Sequence, residues 1–180
     1  DPQNFERNSI KGPWFDLILS PDIRAVKKYK ELGYNAKWWT HFADTRIYQE
    51  MDIEEKYIAV SSRGRGSSQI LDTLADHYEG DIINKNGWEG TEHTEFLNSG
   101  KIVIQHSRWG EITRRIFEGM ACGKLVITDR LAEDVELESL FIDGENIILY
   151  DDIQDCAEKI AYYNNNVMER EEIAWNGYQK

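Results

Sequence analysis

No stretch of this chain is long and apolar enough to cross a bilayer; none of its hydrophobic runs approaches the ~20 residues a spanning helix needs. Nothing in it resembles a signal peptide. Cysteine is scarce. Among 180 residues only Cys122 and Cys156 occur, both in helical settings and too few for a disulfide or metal framework, so a reducing cytoplasm is the expected compartment. Positive charge is also short: 21 Lys and Arg against 33 Asp and Glu leave a net charge of −12, which disfavours nonspecific nucleic-acid binding. Any phosphate site must therefore be local. Internal repeats and low-complexity segments are absent from the sequence. What remains is a soluble chain long enough for one substantial domain with a real core. It begins at Asp1 rather than Met and ends in a helical pattern without a clear stop, which reads as a piece of a longer protein.

Strand-like and helix-like patterns alternate along the chain. Trp14 to Ser20 reads as a strand, Pro21 to Leu32 as a helix stopped by Gly33, and Asn35 to Phe42 as a second strand carrying Trp38 and Trp39. The charged, irregular stretch from Ala43 to Glu55 reads as a linker. Beyond it come a strand over Lys56 to Ser61, a helix over Ser67 to Tyr78 with Ser67 or Ser68 as its cap, a short strand over Gly80 to Asn84 and a short helix over Thr91 to Leu97. Later, Glu145 to Tyr150 forms a final strand, followed by helices over about Ile153 to Tyr163 and Met168 to Tyr178. Such alternation predicts an α/β fold with a parallel sheet flanked by helices.

The most informative unit is Ser107 to Asp129. The apolar, β-branched runs Lys101 to Gln105 and Lys124 to Thr128 bracket a short charged helix that stops at Cys122-Gly123. Strand, helix, strand at this spacing is a parallel crossover, and its strand-to-helix turn lies at the carboxyl edge of the sheet, where free helix N–H groups bind anions. At about 100° per residue, Glu111, Arg114, Arg115 and Glu118 share one face, while Ile112, Ile116, Phe117, Met120 and Ala121 form the core face. The polar face has an ordinary explanation, because Glu111 with Arg115 and Arg114 with Glu118 are i,i+4 pairs. Two arginines in the first turn nevertheless oppose the helix dipole. An anionic ligand such as a diphosphate would account for them, held by Ser107 and the donor-rich turn, by the helix N–H groups and by the guanidinium forks. A second cradle candidate is Ser61 to Ser68, with Arg63, Gly64, Arg65, Gly66 and Ser67 between a strand and a helix. It matches neither G-x-G-x-x-G nor a Walker A sequence, and a mobile polar loop is the alternative. Its place at the same sheet edge lets both turns flank one diphosphate.

The run Phe117-Glu118-Gly119-Met120-Ala121-Cys122-Gly123-Lys124-Leu125-Val126-Ile127-Thr128-Asp129 resembles the F-E-A-M-A-C-G-x-x-x-(I/L)-(T/S) signature of GT-B glycosyltransferases, in the branch that includes family 4 and the spore-maturation-type enzymes. Glu138 to Tyr150, Ile160 to Tyr163 and Arg170 to Ala174 are similar to the tail of those domains, and the likeness covers residues 55 to 180. The first 50 residues resemble, more loosely, the last β-α-β unit of the N-terminal domain and its crossover, through His41-Phe42-Ala43-Asp44. The resemblance implies a Rossmann-like C-terminal donor domain over residues 51–180, with 1–50 the end of an acceptor-side α/β domain whose remainder is missing.

It further implies a nucleotide-diphosphate sugar, UDP- or GDP-linked, as substrate, with no resident cofactor and no metal. Glu118 matches the second glutamate of the family's E-x7-E motif, which accepts from donor ribose hydroxyls. Thr113 and Arg114 match helix-start positions near the diphosphate. The first glutamate of the motif, which approaches the donor sugar, falls at Gly110 here, with Glu111 one residue later. Glu111 and Arg114 are the catalytic candidates. Arg63 to Ser67 takes the place of the loop that approaches the diphosphate, and Trp88 sits where a residue stacks on the base. For Trp88 an exposed or interdomain tryptophan is the alternative.

Other candidates are weaker. Glu89, Glu92, His93 and Glu95 could be imagined as metal ligands, but acids at a helix start follow from the dipole. His106, ending a strand beside Ser107, either faces the donor sugar or is a buried edge histidine. His41 and His77 have no evident partner, and Cys122 reads as a small packed residue rather than a nucleophile. Trp38 and Trp39 are expected at a domain junction. Fixed donors and a helix N-terminus can stabilise a leaving nucleoside diphosphate, but no acceptor base is evident, so the chain is expected to bind donor without completing a site. Three functions stay open: the donor-binding part of a sugar transferase with a glycan, protein or small-molecule acceptor; a noncatalytic nucleotide-binding or interaction module; and a sugar-nucleotide epimerase of the same superfamily.

Overall fold

The computed structural model describes residues 5–61, 73–74, 81–84 and 90–180. The N-terminal part contains α1 (Phe5–Ser9), β1 (Ile18–Ser20), α2 (Ile23–Glu31) and β2 (Ala36–Trp38). Strands β1 and β2 pair in parallel. Both are shorter than the sequence pattern predicts. Gly12–Trp14, with Pro13 at its start, winds into a 3-10 turn and removes Trp14 from the strand, because a proline ring fixes φ and favours the first helical position. Helix α2 starts where Asp22 Oδ1 accepts from Arg24 N at 2.9 Å, a side-chain N-cap of the usual acidic kind. Ala25, Val26, Tyr29 and Ala36 form a small core for this part.

The larger part is built on β3 (Tyr57–Val60), β4 (Ile82–Asn84), β5 (Gly100–Gln105), β6 (Leu125–Asp129) and β7 (Ile148–Tyr150). They form one sheet in the order β4-β3-β5-β6-β7, every pair parallel. Its helices are α3 (Thr91–Asn98), α4 (Arg114–Ala121), α5 (Ile153–Asn165) and α6 (Val167–Tyr178). The expected helix over 67–78 is described only at Thr73 and Leu74, both helical. The rest of it, with His77, lies outside the described residues.

The strands are near-continuous apolar runs because both faces of the sheet are covered, as parallel sheets require. On one face Ile58, Val60, Ile102, Ile104, Leu125, Ile127, Ile148 and Tyr150 pack against α5 and α6 through Ala157, Ile160, Ile173 and Ala174. On the other, Ala59, Val103, Val126 and Leu149 pack against α3 and α4 through Phe96, Leu97, Ile116 and Met120. Trp38 touches both this second core and the small N-terminal one, and its Nε1 donates to Pro21 O at 3.0 Å. Trp39 is exposed, so only one of the two tryptophans packs where the parts meet. Lys27 Nζ adds a contact to Glu136 Oε1 at 3.4 Å.

The strand order carries a functional consequence. The chain passes from β3 to β4 on one side and then to β5 on the other. The crevice between the carboxyl ends of β3 and β5 is therefore the topological switch point, where open parallel sheets bind ligands.

Helix α6 lies so close to the β6–β7 connection that a Cβ on Gly177 would stand 2.8 Å from the carbonyl oxygen of Asn146. Gly177→Ala should therefore destabilise by about 1–3 kcal/mol, read as a fall in Tm of roughly 2–4 °C per kcal/mol. Helix propensity alone would raise stability by up to ~1 kcal/mol, and a Tm that is unchanged or higher would contradict the close packing.

Candidate functional site

Helix α4 opens at the carboxyl edge of β5. Its apolar face is the one the sequence pattern predicts: Ile116 and Met120 are buried, with Phe117 and Ala121 packed beside them, and Ile112 is buried in the turn before the helix. Gly119 lets the helix approach the sheet, since a Cβ there would meet Val126 Cγ2 at 2.9 Å.

The helix start corrects the expected polar face. The helix begins at Arg114, with Thr113 in the extended conformation as N-cap. Glu111 lies upstream in the turn made by Gly110 at φ 61°, not on a shared helical face. Its Oε2 accepts from Trp109 N at 2.7 Å. Burial raises the Glu111 carboxyl above its ordinary range, and the charge of Asp129 adds to that effect. Arg24 of α2, raised first by its hydrogen bond to Asp22, also feels the charge of Glu111.

Nor is the polar face of α4 a solvated stripe. Glu118 is 1 % exposed, and among the described residues neither carboxyl oxygen accepts a hydrogen bond. Arg114 Nε approaches Oε1 at 2.7 Å as an i,i+4 ion pair, without the alignment of a hydrogen bond. The guanidinium itself is largely exposed. Arg115 turns inward, its NH1 donating to Ser61 Oγ at 3.1 Å. Thr113 Oγ1 makes no side-chain cap and is a buried oxygen without a hydrogen-bond partner. Three buried acceptor atoms on one helix thus lack a hydrogen bond among the described residues, with Glu118 Oε1 held only by the Arg114 charge, although buried polar groups are satisfied nine times in ten.

Glu118 and Arg114 border a cleft of about 460 Å³ whose other wall comes from the N-terminal part and the segment after it, through Leu19, Pro21, Trp39, His41, Phe42 and Tyr48. Burial, and then the Arg114 charge, lowers the pKa of His41 below the ordinary imidazole range, leaving it neutral at physiological pH. Burial first, and the Glu118 charge second, push Tyr48 up to about 12.

The remaining expected residues fall in different places. Ser107 is buried and gives both its N–H and its hydroxyl to Asp129; its donors thus hold the β5–β6 edge together. His106 Nδ1 lies 2.7 Å from Tyr150 Oη, and the rings stack, the half-buried edge setting. Among the described residues there is no cluster able to hold a metal. His93 is instead buried, 3.1 Å from Ser61 Oγ, 3.2 Å from Tyr48 Oη and 3.6 Å from Glu118 Oε2. The sequence pattern does not reveal this role, because its partners come from β3, α4 and the segment before β3. Arg63, Gly64, Arg65, Gly66, Ser67, Trp88 and Glu89 lie outside the described residues.

The sequence profile of the glycosyl transferase-like family matches residues 63–180, well over half of the chain. The chain belongs to this family. Solved structures agree on the fold. The C-terminal domain of LpcC, a glycosyl transferase group 1 family protein from Francisella tularensis, matches with TM-score 0.60 and 18 % identity over 76 % of this chain and 95 % of that one. HepE from Anabaena, solved with UDP-glucose, matches with TM-score 0.75 and 14 % identity over 98 % of this chain and 62 % of its own. TarM matches with TM-score 0.71 and 15 % identity over 98 % of this chain and 42 % of its own. The chain therefore spans between two fifths and two thirds of HepE and TarM, and its fold is that of a GT-B glycosyltransferase C-terminal domain with part of a second α/β unit. Among proteins of curated function, none matches the sequence. Among the described residues no helix is long and apolar enough to cross a membrane.

In this glycosyl transferase-like chain the motif cysteine, Cys122, caps α4 and is fully buried, as is Cys156 on α5. Burial pushes both thiols up to about 12, so neither is a nucleophile at neutral pH. A thiol-reactive chromophore at pH 8 should label no cysteine rapidly in the native protein and both in denaturant; one fast-reacting native thiol would contradict the packing.

Proposed function

We propose that this chain is the donor-binding part of a glycosyltransferase, which transfers a sugar from a UDP- or GDP-linked donor to a glycan, protein or small-molecule acceptor. The observation that carries the reading is the Glu118 carboxyl group, 1 % exposed at the border of a cleft, with no hydrogen bond to either oxygen among the described residues and an ion pair to Arg114. A vicinal ribose diol offers two O–H donors to such a carboxylate, in charge-assisted bonds. The α4 N-terminus and the exposed Arg114 guanidinium lie one turn away and suit the diphosphate, whose charge grows as the glycosidic bond breaks. No resident metal is needed for that stabilisation. Support from relatives is of the same kind, since HepE was solved with UDP-glucose.

Residues 51–180 are then the donor domain and residues 1–50 the end of an acceptor-side domain, where Trp14, Phe15, Leu17 and Leu19 are exposed for a further layer to cover. Two reduced, buried thiols suit a cytoplasmic enzyme. In this reading Thr113 Oγ1 meets the diphosphate, Arg63 to Ser67 approaches it, and Trp88 stacks on the base. Ser107 and Arg115 act through the residues they brace. Glu111, beside Gly110, is the carboxyl group closest in sequence to the donor-sugar position. A noncatalytic nucleotide-binding module is the second reading. It draws on Glu111 being spent on the Trp109 N–H and on the glycine at the motif position.

A thermal-shift panel of UDP, GDP, ADP, CMP and their sugars tests the donor site directly. At least one diphosphate should stabilise the protein, by ~2.7 kcal/mol at 100 times its Kd; no shift with any of them contradicts the proposal. Binding without transfer or hydrolysis by the full-length protein would favour the second reading. Glu118→Ala should weaken nucleotide-sugar binding about tenfold or more, given ~1.5–3 kcal/mol for hydrogen bonds to a charged group. Glu111→Ala should weaken it less, and equal or reversed effects would refute the assignment of Glu118.

A further inference from the structure

Behind Glu118 stands a buried polar network that the binding reading alone does not require. The His93 ring, on the first turn of α3, is 2 % exposed. It is stacked on Phe96 and met edge-on by Tyr48, which fixes its plane. At one ring edge, Nε2 lies 3.1 Å from Ser61 Oγ and 3.5 Å from Arg115 NH1, while the same NH1 donates to Ser61 Oγ at 3.1 Å. A guanidinium has only donors, so the nitrogen it faces presents a lone pair and the ring proton sits on Nδ1. That Nδ1–H points towards Tyr48 Oη at 3.2 Å and Glu118 Oε2 at 3.6 Å. The Tyr48 hydroxyl accepts there, beside the Glu118 carboxyl group whose charge it feels.

We propose that His93, with Tyr48, is a positioning residue: it holds the Glu118 carboxyl group from behind, so that its oxygens face the cleft and take both hydroxyls of a ribose. The inference rests on the reading of Glu118 as the ribose contact. Arg115 and Ser61 orient His93 in turn, and Ser61 immediately follows β3 at the switch point. The network thus ties the ribose carboxyl group to the place where the 62–68 segment begins. A buried network of this kind orients its last member only while every member is present. A deletion behind Glu118 should therefore blur recognition of the ribose and leave contacts to base and diphosphate unchanged.

The readout is the ratio of Kd values for 2′-deoxy and ribose forms, measured by calorimetry on the full chain with UDP against dUDP and GDP against dGDP. Wild type should prefer the ribose form about tenfold or more. Glu118→Gln should bring the ratio near unity. His93→Leu should narrow it at least threefold with little change in affinity for the deoxy form, Tyr48→Phe should narrow it in part, and His93→Asn, which restores an N–H near Nδ1, should recover it. If His93→Leu does not fold, Tyr48→Phe decides, since it removes one oxygen only. Collapse of the ratio in Glu118→Gln, with the full ratio kept in both His93→Leu and Tyr48→Phe, overturns the positioning role and leaves the ribose assignment standing. A wild-type ratio of unity overturns both.

Discussion

A carboxyl group taken almost wholly out of water is the constraint around which the larger part of this molecule is arranged. Moving such a group inside costs several kcal/mol even after relaxation, and Glu118 is 1 % exposed with no hydrogen bond to either oxygen. The cost is offset only by groups placed around it. Arg114 stands at 2.7 Å on one side, His93 at 3.6 Å on the other, and the Tyr48 hydroxyl completes the ring. Each comes from a different element, and each element is fixed by packing remote from the carboxyl group. Helix α4 is pinned by Ile116 and Met120, α3 by Phe96 and Leu97, and Tyr48 is itself part of the same core. A site of this kind is preorganised by hydrophobic burial, and a ligand that supplies two donors would relieve its remaining imbalance.

The topology explains why the site lies where it does. All five strands of the main sheet run parallel, so every strand-to-helix turn opens on one edge. Only between β3 and β5 do the connections diverge, leaving a crevice that no crossover covers. Ser61, Arg115 and His93 meet there, and Glu118 faces the same space. A net charge of −12 makes the bulk of the protein repel a diphosphate. In the proposed reading attraction is left to a few local groups, the N–H groups of α4 and the Arg114 guanidinium, while His41 on the opposite wall is held in its uncharged form by burial and by Arg114. Selectivity for a phosphorylated ligand thus comes from geometry and not from a basic surface.

Much of this was legible in the chain. The period-3.6 pattern from Ile112 to Ala121 located the core face of α4, because that face packs on a sheet whose own apolar runs were equally plain. Cys122 read as packing and is packing. The start of α4 was less accessible: counting from Glu111 gave two i,i+4 pairs, whereas Gly110 at positive φ and the extended Thr113 delay the helix to Arg114. Proximity in sequence suggested one helical face where the backbone makes a turn. The burial of Glu118 was invisible to periodicity, since what covers it is α3 and the segment around Tyr48, 25 and 70 residues away along the chain. His93 was concealed for the same reason. In sequence it sits among acids at a helix start and suggests a metal; in space its neighbours are Ser61, Tyr48 and Arg115. Family resemblance pointed to Glu118, but only tertiary structure shows what holds it.

The central claim is that Glu118 is an unsatisfied acceptor built to receive a ribose. A crystal structure of the full chain with UDP or GDP tests it most directly. The ribose is expected at the border of the cleft, with its 2′- and 3′-hydroxyls within hydrogen-bond distance of the two Glu118 oxygens and the diphosphate at the α4 N-terminus. A nucleotide bound elsewhere, or bound here with both Glu118 oxygens still unengaged, would contradict it.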